Sequence, residues 1–425
     1  MTLKLFDKIK DLDDNKLHPK FKFLRDDPSV SGEKEIIKLW TEGFVDRDNK
    51  IVKEFQTSFH SALWEFFLFA MMKKFKYEID FSHNRPDFII SKPDPMYIEA
   101  VVSEIKKDGK PESNRTIDDI LSMARPFSDK EEFAAIIDEA IVRHSNSFLF
   151  KEKKYFDYLK EQWMDNSVPY VIAISSYDQV NYGKEFYYSM MALLYGMYYD
   201  LETENFSQKT EILKPGTQSP IPIGLFADNQ HQEISAVIFS CTLTLGKLTA
   251  LAKSDGTALS PNSVMQIKLD DGPIYRVKDI NKDCPEELED GVFVFYNPFA
   301  KNPLNKNIFD NSSVVQIRNH NNIRSNDMPM VSRFNCFIPE KIKEDFYISV
   351  MDSFNPGFGV YSIEKINLNN IILRNDETSE KICVNIDGKI QKKINDESVS
   401  EGDVLYALID RKDESSPFLK KILKL

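Results

Sequence analysis

The chain has 425 residues, of which 42% are hydrophobic and 29% charged, and only 15 glycines, which excludes collagen-like, disordered and coiled-coil proteins. At roughly 150 residues per domain, this length leaves room for two or three domains. The 55 Lys and Arg residues stand against 67 Asp and Glu residues and give a net charge of -12. This balance excludes a basic surface over the whole molecule, so any nucleic-acid contact must use a local patch.

Cysteine usage and hydropathy indicate the compartment. The four cysteines lie far apart without the spacing of a disulfide scaffold. The N-terminus lacks the apolar segment of a signal peptide, and the longest apolar stretch, residues 62–72, is interrupted by Glu65 and too short to span a bilayer. We therefore expect a cytoplasmic protein that does not contact a membrane.

The first hundred residues change from helical to strand-like periodicity. Residues 1–50 are highly charged, with apolar residues at helical spacing, and predict a helical lead-in. Residues 52–75 predict one long helix that is apolar on most sides. Strand-like runs follow over residues 76–82, 87–91 and 96–102, separated by turn signals. This order predicts a helix followed by a β-meander.

The next segments predict a second long helix over residues 131–164 and a buried central strand over residues 169–176. Eight asparagines crowd residues 302–326, and we place a domain boundary there. The predicted organisation is a lead-in over 1–50, a central domain over 51–310 and a C-terminal domain over 311–425.

The C-terminal segment is predicted to be β-rich. Residues 346–351 have the composition of a strand, and residues 359–366 and 404–409 have the same character. Asp387 and Gly388 form a dipeptide that is typical of a β-hairpin turn.

Two carboxylates stand on neighbouring strands of the meander. Asp87 opens the second strand, and Glu99 lies inside the third, twelve residues later. A short hairpin connection brings these strands side by side, so both side chains can point to the same edge of the sheet. Because close carboxylates repel each other, a shared hard cation such as Mg²⁺ or Mn²⁺ is the cheapest stable arrangement. The pair predicts a metal site, although each residue alone also fits an ordinary strand carboxylate.

Glu65 is a charged residue in the middle of an otherwise apolar helix. A buried carboxylate without a partner costs on the order of several kcal/mol, so we expect it to have one. A metal ion held by Asp87 and Glu99 would serve. The alternatives are an ion pair with an Arg or Lys of the lead-in, or exposure on a narrow polar stripe.

Five stretches around these carboxylates form a pattern: residues 54–59, Trp64-Glu65, Phe81-Ser82, Arg85-Pro86-Asp87-Phe88 and Ile98-Glu99-Ala100. In this pattern the sequence resembles the PD-(D/E)xK nuclease superfamily, in particular a bacterial branch with an RPDF…EA motif, and the similarity extends over about the first 300 residues. The resemblance implies an α/β fold with a restriction-endonuclease-like α-β-β-β-α-β core, to which the lead-in and the β-rich domain are added. It also implies Mg²⁺- or Mn²⁺-dependent hydrolysis of nucleic acid, DNA more than RNA, and is consistent with a homodimer.

The chain departs from the superfamily pattern at Val101, where a lysine usually follows the glutamate. That lysine orients the attacking water and neutralises developing charge. Some branches of the superfamily supply the cation from the following helix, where Lys151 and Lys154 lie one turn apart on one face. A solvated helix face is the alternative for these two lysines, and Lys106 and Lys107 are weaker candidates for the role.

Three functions remain open at this point. The first is a metal-dependent nuclease with Asp87 and Glu99 as ligands, Glu65 in support and Lys151 or Lys154 assisting. The second, favoured by Val101, is a degenerate nuclease-fold module that binds nucleic acid or a protein partner. The third is a hydrolase of another bond, such as a glycoside, with two carboxylates as acid and base. HExxH, GxSxG and GxxxxGK[ST] motifs are absent from the sequence, which argues against zinc, serine-hydrolase and P-loop chemistry.

Overall fold

The structure is a computed structural model that describes residues 3–105, 109–127, 129–176, 183–217, 219–270, 274–319, 322–324, 328–410 and 417–424. It is a mixed α/β structure, and its chain divides into two compact units. The first unit contains Met1–Lys268 and Lys278–Ile338, and the second contains Leu269–Val277 and Pro339–Leu425.

The α-helices of the described residues are α1 (Pro19–Asp26), α2 (Ser31–Thr41), α3 (Ile51–Thr57), α4 (His60–Lys74), α5 (Ile117–Leu121), α6 (Lys130–Tyr158), α7 (Tyr188–Tyr195), α8 (Leu245–Asp255), α9 (Glu340–Phe354) and α10 (Gly388–Asp396). The strands of the first unit, with β11 passing into the second, are β1 (Glu78–Asp80), β2 (Phe88–Lys92), β3 (Met96–Val102), β4 (Tyr170–Ser175), β5 (Met197–Asp200), β6 (Asn205–Gln208), β7 (Glu211–Leu213), β8 (Pro220–Pro222), β9 (Ala236–Ser240), β10 (Ser263–Asp270), β11 (Ile274–Asp279), β12 (Phe293–Tyr296), β13 (Val315–Asn319), β14 (Asn322–Arg324) and β15 (Met330–Cys336). The remaining strands are β16 (Phe358–Ile366), β17 (Asn370–Asn375), β18 (Lys381–Asn385), β19 (Val404–Asp410) and β20 (Phe418–Lys424).

The centre of the first unit is a sheet whose described strands run in the order β1-β2-β3-β4-β9-β12-β13-β14. Strands β2 and β3 are antiparallel, with Phe88 opposite Ile98, whereas β3, β4 and β9 are parallel. Strand β4 is buried along its whole length, as expected for a strand covered on both faces. Along the chain, α4, β1, β2, β3, α6 and β4 follow the predicted order, with the short α5 inserted before α6.

Helices cover both faces of this sheet. On one face, α4 buries residues such as Phe66 and Leu68 in a core shared with Ile98 of β3, and the indole N–H of Trp64 donates to the carbonyl of Ala173 in β4 over 3.0 Å. The lead-in is part of the same core, because α1 and α2 bury apolar side chains in it. On the other face, Tyr155 of α6 stacks on a tyrosine of β4 with ring centres 4.0 Å apart.

The long helix predicted over residues 52–75 is two helices. Helix α3 ends at Thr57, and Phe59 has a φ of 39°, in the left-handed region that a continuous helix cannot contain. The apolar periodicity continues through this break because Phe55 and Phe59 are both fully buried. The sequence pattern therefore could not show where the first helix ends.

The structure places the division between the units at Ile338 and Pro339, rather than between residues 310 and 311. The asparagine-rich stretch leads into β13, which pairs in parallel with β12 and buries Val315 and Ile317. One of its asparagines, Asn302, donates to the carbonyl of Asn166 over 2.7 Å. The asparagine-rich stretch therefore connects β12 to β13 and contains β13 itself, so it belongs to the first unit and is not a linker between the units.

The second unit contains a closed five-stranded barrel, counted over the described residues, in the order β16-β17-β18-β20-β19. Strands β18 and β20 are parallel, and the other neighbours are antiparallel. Helix α10 lies between β18 and β19 in the sequence and buries Ile390 and Ile394 in the barrel core. The helix thus lies between the third and fourth barrel strands along the chain, and the fifth strand pairs between the third and the fourth.

Two local predictions for the C-terminal segment were wrong. Residues 346–351 lie in α9 instead of a strand, because Val350, Met351 and Phe354 form a buried face with helical spacing. Asp387 starts α10 instead of a hairpin, and its carboxylate accepts a hydrogen bond of 2.8 Å from the N–H of Ile390 as a helix cap. Among the described helices, none is long and apolar enough to cross a membrane.

Candidate functional site

Asp87 lies just before β2, with its carboxylate held against β3. Its Oδ2 accepts a hydrogen bond of 2.7 Å from the backbone N–H of Ala100. Arg47, from the loop after α2, donates to the carbonyls of Pro86 (3.2 Å) and Asp87 (2.6 Å), and also to the carbonyl of His83. Arg47 therefore fixes the backbone that carries Asp87, while one carboxylate oxygen is anchored to the neighbouring strand.

Glu99 is 2% exposed and points from β3 towards α6. Its Oε1 lies 2.8 Å from the Nζ of Lys151 and 3.6 Å from the Nζ of Lys154, and it accepts a hydrogen bond of 3.2 Å from the hydroxyl of Tyr158. Its other oxygen, Oε2, is buried and has no hydrogen-bond partner among the described residues. One oxygen of this carboxylate is thus fully engaged, and the other is available to a ligand.

Glu65 belongs to the same electrostatic site. Burial raises the pKa of Glu65 well above its usual range and repulsion from Asp87 adds to the rise, whereas Lys151 and Arg47 oppose it. Burial also raises the pKa of Asp87 to about 7, with repulsion from Glu99 as the next cause. The raised pKa values mean that the site favours an added positive charge, either protons or a cation.

The structure brings the predicted site residues to one place: Glu65, Asp87, Glu99, Lys151 and Lys154. Lys151 is buried, so the solvated-face interpretation does not apply to it, whereas the side chain of Lys154 is 39% exposed. The weaker candidates Lys106 and Lys107 lie outside the described residues.

Two residues of the site were not predicted in these roles. The hydrogen bonds that the structure describes for Arg47 go to backbone carbonyls, and such contacts leave no pattern in a sequence. Tyr158 follows Lys151 by seven residues, two helical turns, which places it on the same face of α6. The seven-residue spacing from Lys151 was the signal that could have joined this tyrosine to the site.

The residues fit a divalent cation in part. Among the described residues, no group of three or more His, Cys, Asp or Glu side chains is arranged to hold a metal ion. The carboxylates of Asp87 and Glu99 are hard oxygen donors of the kind that Mg²⁺ prefers. The unpartnered Oε2 of Glu99 and the raised pKa values of Asp87 and Glu65 favour a cation at this position. Asp87 and Glu99 could therefore supply two ligands of a metal ion, but the described residues do not form a complete coordination shell.

A cavity of about 170 Å³ lies elsewhere in the first unit, at the start of α8. Its lining includes Lys20, Arg115 and Arg333 and none of the predicted site residues. We place the candidate site by the chemistry of its side chains and not by the position of this cavity.

Comparison of the chain with protein-family models, curated proteins and solved structures found no match. The resemblance to the nuclease superfamily therefore rests on the sequence motifs.

Proposed function

We propose that this chain is a metal-dependent phosphodiesterase that cleaves nucleic acid. Asp87 and Glu99 are the proposed ligands of Mg²⁺ or Mn²⁺, Glu65 is the supporting carboxylate, and Lys151 is the catalytic cation, with Lys154 at the rim. One observation carries the proposal: the ammonium group of Lys151 lies 2.8 Å from Glu99, on the strand beside Asp87. In this proposal, Lys151 of α6 supplies the positive charge that the superfamily pattern places at position 101, where this chain has a valine.

Each side chain has a defined role in this proposal. A bound divalent ion supplies an activated water at neutral pH and neutralises phosphate charge. Lys151, in a site sheltered from solvent, stabilises the negative charge that develops on the phosphate oxygens. The hydroxyl of Tyr158 holds the Glu99 carboxylate in one orientation. Glu65 is the supporting carboxyl group, and because burial raises its pKa well above the usual range, it favours either a bound proton or a nearby cation.

The net charge of -12 does not oppose this function. Charges on distant surfaces are screened over about 8 Å at physiological ionic strength. The substrate therefore meets mainly the local charges of the site, which include Lys151 and Lys154.

The proposal is tested by incubating the full chain with single- and double-stranded DNA and RNA in the presence of Mg²⁺, Mn²⁺ or EDTA. Cleavage should require the metal. Each of Asp87→Asn, Glu99→Gln and Lys151→Met should lower the rate by about 100-fold or more, because each removes a group that acts on the reacting phosphate. The matched control is Lys153→Met, an exposed lysine on the same helix, which should cleave at the wild-type rate. Undiminished cleavage by Asp87→Asn would refute the assignment.

A degenerate, non-cleaving module is the second candidate. The ion pair between Lys151 and Glu99 favours it, because the lysine already neutralises the carboxylate without a metal ion. Calorimetric titration with Mn²⁺ separates the two candidates: a nuclease should bind the ion, and Asp87→Asn should abolish binding. Absence of both Mn²⁺ binding and cleavage in the natural chain, with cleavage created by Val101→Lys, would establish the degenerate module.

A further inference from the structure

Two cation–aromatic pairs lie next to Glu99. In the first, the Nζ of Lys154 is 5.0 Å from the centre of the Phe150 ring and 3.6 Å from Oε1 of Glu99. In the second, the guanidinium of Arg85 is 5.9 Å from the centre of the Tyr158 ring, and the hydroxyl of that tyrosine donates to the same Oε1. Positive charge and aromatic surface therefore adjoin the candidate site at both pairs.

These flanking groups are open to solvent. The Phe150 side chain is 55% exposed, which is a large apolar surface beside a charged site. Arg85 is exposed, and Trp163, which stacks at 4.0 Å on His83, is partly exposed. His83 lies two residues before Arg85, so Trp163 extends the aromatic surface on the arginine side. We call Phe150, Lys154, Arg85 and Trp163 the aromatic strip.

A structural role alone does not account for the strip. A lysine and a phenylalanine four residues apart form an ordinary stabilising pair on a helix surface. Here, however, the same ammonium group also reaches the candidate site, so Phe150 is positioned beside a phosphate-handling centre. Phe156 provides the comparison: it is 48% exposed on the same helix, but six residues after Phe150 it lies on another face.

We infer that the aromatic strip binds single-stranded nucleic acid, with phosphates at Lys154 and Arg85 and unpaired bases stacked on Phe150 and Trp163. The inference rests on the proposed function and specifies its substrate class, strands with unpaired nucleotides in preference to duplexes. Alternating cations and aromatic rings match the alternating phosphates and bases of a single strand. A duplex presents its phosphates but keeps its base faces stacked inside, so it gains nothing from the exposed rings.

Binding is measured in EDTA, so that cleavage does not interfere. The probes are fluorescent oligo(dT) and oligo(rU) of about 20 nucleotides and a DNA duplex of the same length, each followed by anisotropy at fixed salt. Phe150→Ala should weaken single-strand binding by about fivefold or more and leave duplex binding within about twofold, because each stacked base contributes on the order of 1 kcal/mol or more. Phe150→Tyr, which keeps a ring, should bind like the wild type. Phe156→Ala is the matched control and should also bind like the wild type.

Tryptophan emission gives a second, independent readout. Of the three tryptophans, Trp40 is 5% exposed and Trp64 is fully buried, so Trp163 is the one that solvent and ligand reach best. Oligo(dT) should quench the emission of the natural chain. Trp163→Phe should remove most of that quenching.

Different results would contradict the aromatic strip and the proposed nuclease. Equal affinity for single strand and duplex, or unchanged single-strand affinity in Phe150→Ala, would overturn the aromatic strip, even if metal-dependent cleavage were observed. Single-strand binding that depends on Phe150, in a chain that cleaves nothing with any metal ion, would support the strip and contradict the proposed nuclease.

Discussion

Lys151 and Glu99 are a buried ion pair as well as the centre of the candidate site. Both side chains are less than a tenth exposed, and their charged atoms are 2.8 Å apart. Such a pair gains little net stability over apolar residues, because desolvation offsets the attraction, but removal of one partner leaves an uncompensated buried charge. The presence of such a pair between α6 and the interior strand β3 is consistent with a functional role for the two residues.

Substitution of one partner should therefore lower the stability of the fold more than substitution of both partners. Glu99→Ala should lower the free energy of unfolding by about 3–5 kcal/mol, since the Lys151 ammonium remains buried without its carboxylate. The double variant Glu99→Gln with Lys151→Met should recover most of that loss. Urea unfolding followed by tryptophan emission measures the effect in the first unit, where Trp40 and Trp64 are buried. A single variant as stable as the wild type would mean that Lys151 turns out to solvent at no cost.

Two histidines should make the first unit sensitive to mild acid. His18 and His60 lie edge to face with ring centres 5.1 Å apart. Burial lowers the pKa of each to about 4; Lys20 adds to the decrease, whereas Glu112, whose carboxylate lies 3.0 Å from the Nε2 of His60, opposes it. The unfolded chain, with histidine pKa values near 6.5, then binds more protons than the folded chain between pH 4 and pH 6.5. Stability should be full above about pH 6.5 and should fall as the pH drops towards 4, by about 3 kcal/mol for the well-buried His60.

The pH effect is measured as the free energy of unfolding in urea at several values between about pH 7 and pH 5. His60→Gln should be less stable at neutral pH but should show a shallower decline, because one of the two titrating groups is gone. A decline as steep as that of the wild type would assign the acid sensitivity to other groups.

Local sequence signals predicted the elements that carry the site. The switch from helical to alternating periodicity placed Asp87 and Glu99 on adjacent strands, and the spacing of Lys151 and Lys154 placed both on one helix face. The failures occurred where one local signal has two structural outcomes. An Asp before a Gly is suited to a hairpin turn and equally to a helix N-cap. A segment rich in aromatic and β-branched residues, such as residues 346–351, folds as a helix when its buried residues have helical spacing.

Pairing between β12 and β13 determines where the chain can be shortened. Removal of all residues after Asp310 deletes β13, and with it the buried Val315 and Ile317 that cover this part of the sheet. Such a chain should aggregate, because it exposes the edge of β12 and an apolar core. A chain that ends at Ile338 keeps β13 and should aggregate less in size-exclusion chromatography, although its residues 269–277 then lack the rest of the second unit. Equal solubility of the two shortened chains would mean that β13 is dispensable.

At the scale of the whole molecule, two units of different architecture share one chain. The first unit carries the candidate site on a mixed sheet, and the second is a closed barrel with a core of its own. Residues 269–277 leave the first unit to join the second, where Asn355 bonds Tyr275 through both its oxygen and its nitrogen (2.8 and 2.9 Å). The chain thus passes between the units more than once, so the second unit is not a simple C-terminal appendage.

Exposed basic residues lie on the outside of the barrel of the second unit, on β16, β17 and β18. On the outside of these strands, exposed Arg374 of β17 lies opposite exposed Lys381 of β18, and exposed Lys365 of β16 lies opposite Ile372. If the chain acts on nucleic acid, we expect this face to contact phosphates.

Arg374→Ala in the full chain should therefore weaken binding to oligo(dT) several-fold and should reduce the slope of log affinity against log salt by about 1, as expected for the loss of one phosphate contact. The preference for single strand over duplex should be unchanged, because the aromatic strip of the first unit is intact. Lys389→Ala is the matched control: it removes one exposed positive charge from α10 of the same unit, outside the β17–β18 face. Equal losses for the two variants would indicate a general charge effect and would contradict a specific role for the barrel face.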